Sequence, residues 1–159
     1  MAPTLYHLSW EELHRDTRAL AHQLLADQTP GQIWRGVIGI ARGGLVPAAI
    51  LARELDIRWV DSLCIASYEH DQQGDAKILK AVEGDGDGFL LVDDLVDSGN
   101  TARIARELLP KAVFVAVYAK PKGRALAQYC QREFSQETWI HFPWDVDLSY
   151  SEPLISRKK

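Results

Sequence analysis

Cysteine is scarce in this chain: Cys64 and Cys130 are the only two among 159 residues. Two thiols are too few for a disulfide framework, which excludes the small cross-linked secreted scaffolds. Cys64 lies in an apolar strand pattern and reads as a small buried thiol. Long apolar runs are missing as well. The longest, such as residues 113–119, fall far short of the ~20 residues that cross a bilayer as a helix. Residues 1–6 show no basic stretch followed by an apolar one, so no signal peptide is expected. Excess positive charge is absent too: the formal net charge of −4 argues against broad nucleic-acid binding. No internal repeat, low-complexity tract or Pro/Ser-rich linker divides the chain. With 47% hydrophobic residues, the expectation is one soluble domain with a real core, in a reducing, cytoplasmic compartment.

Several common site motifs are also lacking. His7, His14, His22, His70 and His141 are scattered without zinc-site spacing. No Walker A sequence occurs. The glycine-rich run over 84–88 precedes an apolar strand instead of following one, so it is not a dinucleotide fingerprint. It fails as an EF-hand loop because Phe89 occupies a ligand position.

What is present is an alternation of strand and helix patterns. Ser9-Trp10-Glu11-Glu12 reads as a capping box, with Ser9 capping and Glu12 reaching back. Leu13, Leu20 and Leu24 mark one face of a helix that runs to about Leu25, and Gln28-Thr29-Pro30-Gly31 ends it. Residues 37–41 are almost wholly apolar, as in a parallel strand covered on both faces. Arg42-Gly43-Gly44 forms a turn, and a helix follows over 46–55 with Pro47 in its first turn. The pattern then predicts a strand over 59–66, a polar loop over 67–75, a short strand over 77–82 and a turn over 83–88. It continues with a strand over 89–92, a helix over 100–109 and a strand over 113–119. This order predicts an α/β fold with a mostly parallel central sheet flanked by helices. Ligands of such sheets gather at the carboxyl ends of the strands. Arg42, Asp93, Asp94 and Lys120 all fall there. The less regular remainder holds Trp139, Trp144 and several prolines and reads as a cap. One domain is expected, with its core over about 5–120 and a hood over about 121–159.

The densest chemistry lies in Leu90-Leu91-Val92-Asp93-Asp94-Leu95-Val96-Asp97-Ser98-Gly99-Asn100-Thr101. A helix N-terminus offers unpaired N–H groups and partial positive charge. Ser98 and Thr101 add hydroxyls, and Gly99 and Asn100 tolerate unusual backbone angles, so the segment reads as a phosphate cradle. Plain helix capping by Ser98 or Asn100 is the alternative. Asp93 and Asp94 suit sugar hydroxyls and Mg2+, or form a solvated acidic turn. As neighbours on a strand they face one ligand only if the strand turns. Asp97 suits a general base, or an acid complementing the helix dipole. Arg42 offers a fork of donors to phosphate, and the glycines after it allow close backbone approach, or the segment is a plain glycine turn with a surface arginine. Lys120 projects from a strand end, towards a ligand carbonyl or towards solvent. Trp139 is a stacking platform for a flat base, or a core residue.

Taken together, the acidic segment, the Arg-Gly-Gly turn and the Lys120-Pro121 strand end closely resemble the type I phosphoribosyltransferases. The stretches over 41–47, 51–55, 119–121 and 138–140 extend the likeness, which covers about residues 5–156. The resemblance implies that family's fold and Mg2+-dependent transfer of a 5-phosphoribosyl group from phosphoribosyl pyrophosphate to a 6-oxopurine. Guanine and xanthine are the implied acceptors, with hypoxanthine used less well. Asp93 and Asp94 would then bind the ribose hydroxyls, Asp94 would help hold Mg2+, and Asp97 would be the base beside purine N7. Ser98, Gly99, Asn100 and Thr101 would take the 5′-phosphate. Arg42 and Gly43 would take the pyrophosphate across a non-proline cis peptide, with Lys77 assisting. Lys120 would recognise the purine O6, Trp139 would stack on the ring, and the Ile140 backbone would meet the 2-substituent. Asp145 would hold a second Mg2+ through water. Residues 67–79 would be a mobile loop, a homotetramer is implied, and the tail Arg157-Lys158-Lys159 would at most touch a membrane surface, at the inner membrane's cytoplasmic face. The family's usual Thr-Gly-Gly-Thr is Ser98-Gly99-Asn100-Thr101 in this chain, which keeps the hydroxyls, and Gly74 stands where an arginine is frequent. Two rival readings are a hypoxanthine-preferring relative and a non-catalytic regulator that senses phosphoribosyl pyrophosphate and binds nucleic acid. The acidic balance and intact Asp97, Lys120 and Trp139 disfavour the second.

Overall fold

The computed structural model describes residues 2–66, 76–145 and 153–156. The loop expected over 67–75, with Gly74, and the basic tail over 157–159 lie outside the described residues. Strand β1 (Thr4–His7) leads into helix α1 (Trp10–Asp27), strand β2 (Gly36–Ala41), helix α2 (Leu45–Glu54) and strands β3 (Val60–Ala66) and β4 (Lys77–Lys80). Strand β5 (Phe89–Val96), helix α3 (Asn100–Leu108) and strands β6 (Val113–Ala119), β7 (Tyr129–Glu133) and β8 (Thr138–His141) complete the chain order.

Six strands form the central sheet in the order β4-β3-β2-β5-β6-β7. All its ladders are parallel except the β3–β4 edge. Its two faces carry separate apolar clusters, as the near-continuous apolar strands require. On one face Leu13, Leu20 and Leu24 of α1 and Ala48 and Leu51 of α2 pack on Val37, Leu90, Val92 and Val115. On the other, Ala102 and Ala105 of α3 pack on Ile38, Leu91 and Phe114. Burying one such leucine side chain contributes roughly 1.5–3 kcal/mol.

The α1 N-terminus departs from the expected capping box in one half. Ser9 Oγ accepts from Glu12 N–H at 3.1 Å, a cap of about 1 kcal/mol. The Glu12 carboxylate accepts instead from the Tyr6 hydroxyl at 3.2 Å, tying α1 to β1. Cys64, expected to be buried, is half-buried because its edge neighbour β4 is exposed along its length and covers little.

The hood boundary moves as well. Tyr129–Glu133 does not lie in the hood: β7 pairs with β6 and extends the central sheet, reached by a short crossover through a 3-10 turn at Arg124–Leu126. The hood gains a strand from the other end of the chain, because β1 pairs parallel with β8 in a separate two-stranded sheet.

Candidate active site

Strand β5 carries the acidic pair within it. The sequence reading ends this strand at Val92 and turns at the acids, yet the ladder to β6 continues through Asp93, Leu95 and Val96. The side-chain alternation slips instead. Val92 and Leu95 pack on the same side of the sheet, while Leu91 and Val96 share the other. In a regular strand residues three or five apart face opposite ways. The slip lets the adjacent carboxyls of Asp93 and Asp94 interact. Their hydrogen-bond donors are local backbone groups: Asp94 N–H to Asp93 at 2.9 Å and Leu95 N–H to Asp94 at 2.7 Å. Burial, then the neighbouring Asp94 charge, pushes the Asp93 carboxyl well above its ordinary range. Burial also raises Asp94, with a further contribution from the charge of Asp145.

Among the described residues no Lys, Arg or His pairs with Asp93 or Asp94. Two acids of raised pKa with a third nearby form a donor set short of positive charge, and that fits Mg2+. No three metal-ligating side chains gather into a cage among the described residues. Mg2+ suits such a site because it keeps several waters and takes one or two carboxylates together with substrate phosphates. The Arg42 turn closes on the same place. The Ala41–Arg42 peptide is cis. A Cβ on Gly43 would overlap the Asp94 carboxylate, so the glycine is what lets the turn reach it. Arg42 itself is exposed.

Helix α3 starts immediately beyond. Gly99 is its N-cap, at φ +92°, and no side chain caps it. Ser98 Oγ reaches the Asn100 N–H only at 3.5 Å, and the Asn100 amide oxygen accepts from Arg103 at 3.2 Å. Apart from that long Ser98 contact, no side-chain cap takes the first-turn N–H groups of this nine-residue helix among the described residues. Free N–H groups at a helix start are what an anion cradle would use.

Lys120 follows the last residue of β6, its N–H held by Val96 C=O at 2.9 Å. Gly123 and Arg124 N–H both donate to the Lys120 carbonyl, at 3.0 and 2.9 Å, which bends the chain sharply. The bend packs on residues 96–97, where a Cβ on Gly123 would lie 2.9 Å from the carbonyls of both Val96 and Asp97. The Lys120 side chain is buried at 5% exposure, and its Nζ lies 2.9 Å from Oδ2 of Asp97, which is 49% exposed. A buried ammonium needs such a partner. Asp97 has a second contact that nothing in the sequence reading anticipates: Gln136 Nε2 donates to its Oδ1 at 2.7 Å.

Gln136 lies between β7 and β8, so the hood reaches the site through it. Two-residue periodicity buries Thr138 and Ile140 and leaves Trp139 at 59% exposure. Ile140 packs in the core while its backbone sits in the β1 ladder opposite Tyr6. Asp145 accepts from Phe142 N–H at 3.2 Å. Lys77 opens β4 beside Ala66, at the carboxyl end of β3.

Residues 9–151 match the family model described as the phosphoribosyl transferase domain. The chain belongs to the phosphoribosyltransferase family. It is 53% identical over 152 residues to the xanthine-guanine phosphoribosyltransferase of Chromohalobacter salexigens, covering 96% of this chain and 91% of that one. Among solved structures, the xanthine-guanine-hypoxanthine phosphoribosyltransferase of Helicobacter pylori is 26% identical with a TM-score of 0.68, over 91% of this chain and 96% of that one. The purine phosphoribosyltransferase of Pyrococcus horikoshii shares the fold at a TM-score of 0.76 and 24% identity, over 93% and 99% of the two chains.

On this phosphoribosyltransferase frame the residues read from the sequence form two groups. Asp93, Asp94, Gly43 and Asp145 come together around the carboxylates. Asp97 and Lys120 come together beside the α3 N-terminus. Lys77 stays at the rim, exposed, with no contact to either group among the described residues. The residues missed are Gln136 and Gly123. Both lie in polar loops, where glutamine and glycine are ordinary and carry no periodic signal.

Proposed function

We propose that this phosphoribosyltransferase is a purine salvage enzyme. It transfers the 5-phosphoribosyl group of phosphoribosyl pyrophosphate to N9 of guanine and xanthine, and less well to N9 of hypoxanthine. The observation that carries this reading is the buried Lys120 ammonium paired with Asp97 beside the uncapped N-terminus of α3. The uncapped helix and the hydroxyls of Ser98 and Thr101 take the 5′-phosphate. Asp93 and Asp94 accept from the ribose hydroxyls, and Asp94 and Asp145 are the residues that would hold Mg2+. Arg42 and Gly43 receive the pyrophosphate, and Lys77 approaches it from the rim. A bound Mg2+ supplies positive charge that offsets the diphosphate. As N9 bonds to C1′, the C1′–O bond breaks and its electron pair leaves with pyrophosphate. Asp97 accepts the N7 proton, which keeps the purine from building up positive charge. Lys120 donates to O6. A 6-amino group offers donors where the ammonium also donates, so adenine is rejected, as sites built around one hydrogen bond reject its absence by large factors. Trp139 covers the ring, and the edge of β8 at Ile140, unpaired among the described residues, meets the 2-substituent.

Two measurements test this reading. In a steady-state panel with phosphoribosyl pyrophosphate and Mg2+, guanine and xanthine turn over, hypoxanthine lags and adenine fails; activity on adenine alone sinks the reading. Asp97→Asn lowers turnover by about 10²-fold or more, the scale of a lost general base, while phosphoribosyl pyrophosphate binds nearly as before. Near wild-type turnover in that variant rules out the base. A homotetramer is part of the proposal and rests on the family resemblance; a monomer at assay concentration in sedimentation overturns it.

A further inference from the structure

Gln136 touches the proposed base from the hood. Its Nε2 donates to Asp97 Oδ1 at 2.7 Å, while Lys120 Nζ holds Oδ2 at 2.9 Å. The amide oxygen of Gln136 accepts from Lys122 N–H at 3.1 Å, and this partner fixes which way the amide points. The residue sits in a closed turn. Thr138 N–H donates to Ser135 C=O at 3.1 Å, and the Ser135 and Thr138 hydroxyls pair at 2.7 Å. Thr138 opens β8, so this turn ties Gln136 to the strand that carries Trp139. Lys122 belongs to the bend that carries Lys120. One glutamine amide therefore joins the O6-facing bend to the ring-covering strand, and it ends on Asp97.

We propose that Gln136 is a positioning residue that holds Asp97 in its proton-accepting orientation and couples it to the hood. The proposal rests on reading Asp97 as the base. In the free protein both oxygens of Asp97 are engaged. Recognition of O6 draws on the Lys120 ammonium, and the N7 proton must reach Oδ2. The terminal torsion of an aspartate is broad, so a half-exposed carboxylate released by Lys120 would rotate. Gln136 keeps Oδ1 fixed and thereby aims Oδ2. As a neutral amide it adds no second cation beside the ring. The test is a double-mutant cycle on the full chain, with thermal melting and steady-state kinetics for guanine and phosphoribosyl pyrophosphate. Gln136→Ala lowers kcat about tenfold, in line with the sensitivity of reactions to orientation, with little change in KM for phosphoribosyl pyrophosphate. Gln136→Glu, of equal size but without the donor, loses at least as much. In an Asp97→Asn background the same changes alter kcat less than about twofold, because no carboxylate remains to be aimed. Losses of equal size in both backgrounds overturn the positioning role alone, as does wild-type kcat in Gln136→Ala. Wild-type turnover in Asp97→Asn instead removes the base and this role together. Should Gln136→Ala lose its cooperative melt, the cycle is read from Gln136→Glu.

Discussion

Tyr118 lies two residues before Lys120 and is fully buried, with its hydroxyl donating to the buried Asp16 at 2.7 Å. Burial first, and the Asp16 hydrogen bond second, raise its pKa above the ordinary phenol value. The sign of the linkage follows. In the unfolded chain a tyrosine releases its proton near pH ~10, whereas folded Tyr118 keeps it. The contribution of this pair is fully present below that pH and is lost as pH rises through and beyond it. Tyr118→Phe leaves Asp16 without its hydroxyl donor, at a cost of about 1–3 kcal/mol at neutral pH. Urea denaturation from pH 7 to roughly pH 11, the range around the phenol value, should show the gap between wild type and variant shrinking at the alkaline end. A constant gap would show that the pair is not linked to phenol ionisation. The sequence carried no sign of this pair. Asp16 has the look of an ordinary surface acid on a helix; the adjacent Arg15 holds its Oδ1 at 3.4 Å and the tertiary partner Tyr118 its Oδ2, and together they make its burial tolerable.

Helix α3 and strand β5 share the junction on which the site depends, and Gly99 is its pivot. Its φ is +92°, and a Cβ there would lie 2.5 Å from Leu126 Cδ1. Gly99→Ala therefore costs about 1–2 kcal/mol for the left-handed conformation alone, and the overlap adds to it. Because the strain is relieved by shifting the α3 N-terminus, KM for phosphoribosyl pyrophosphate should rise several-fold, while KM for guanine moves less. Denaturation and kinetics together check this; a stability loss with both KM values unchanged would detach the cradle from the helix start. At this scale much was legible. The switch from continuous apolar run to helical spacing places strand, acids and helix in order. The strand end was not legible, because two aspartates after four apolar residues look like a turn. Pairing with β6 holds them in the ladder instead, and the slip in alternation that brings the carboxyls together depends on packing that no residue pattern encodes. The plain capping alternative could be weighed only once Ser98 was seen to reach the helix start at no closer than 3.5 Å and the Asn100 side chain to engage Arg103.

The whole molecule holds a mostly parallel central sheet and a separate two-stranded sheet assembled from distant parts of the chain; in the proposed function the first takes the sugar-phosphate side and the second, in the hood, the purine side. The α/β class was readable because the central strands are apolar throughout and alternate with helices. Strand β1 was not, being four residues long and almost wholly exposed, with no alternation to mark it. Its partner lies near the other end of the chain, in the register Thr4↔Thr138 to His7↔His141. Tyr6 fastens this strand to the core. Its hydroxyl donates to Glu12 and accepts from Arg132 at 3.0 Å, and the Arg132 guanidinium lies over the rings of Tyr6 and Phe134 at 4.8 and 4.6 Å. Removing residues 2–7 deletes the only strand that pairs with β8 among the described residues and leaves Arg132 with Phe134 but without Tyr6. The central sheet keeps all its ladders, so far-UV circular dichroism and KM for phosphoribosyl pyrophosphate should stay near wild type. The strand bearing Trp139 and Ile140 loses its lateral support, and KM for guanine should rise about tenfold or more, equivalent to roughly 1.4 kcal/mol of lost purine binding. If both KM values rose together and the melt collapsed, the hood would be a structural requirement of the sheet and not a separable purine clamp. A selective loss of purine affinity would tie guanine binding to a strand far removed from the acidic segment in the sequence.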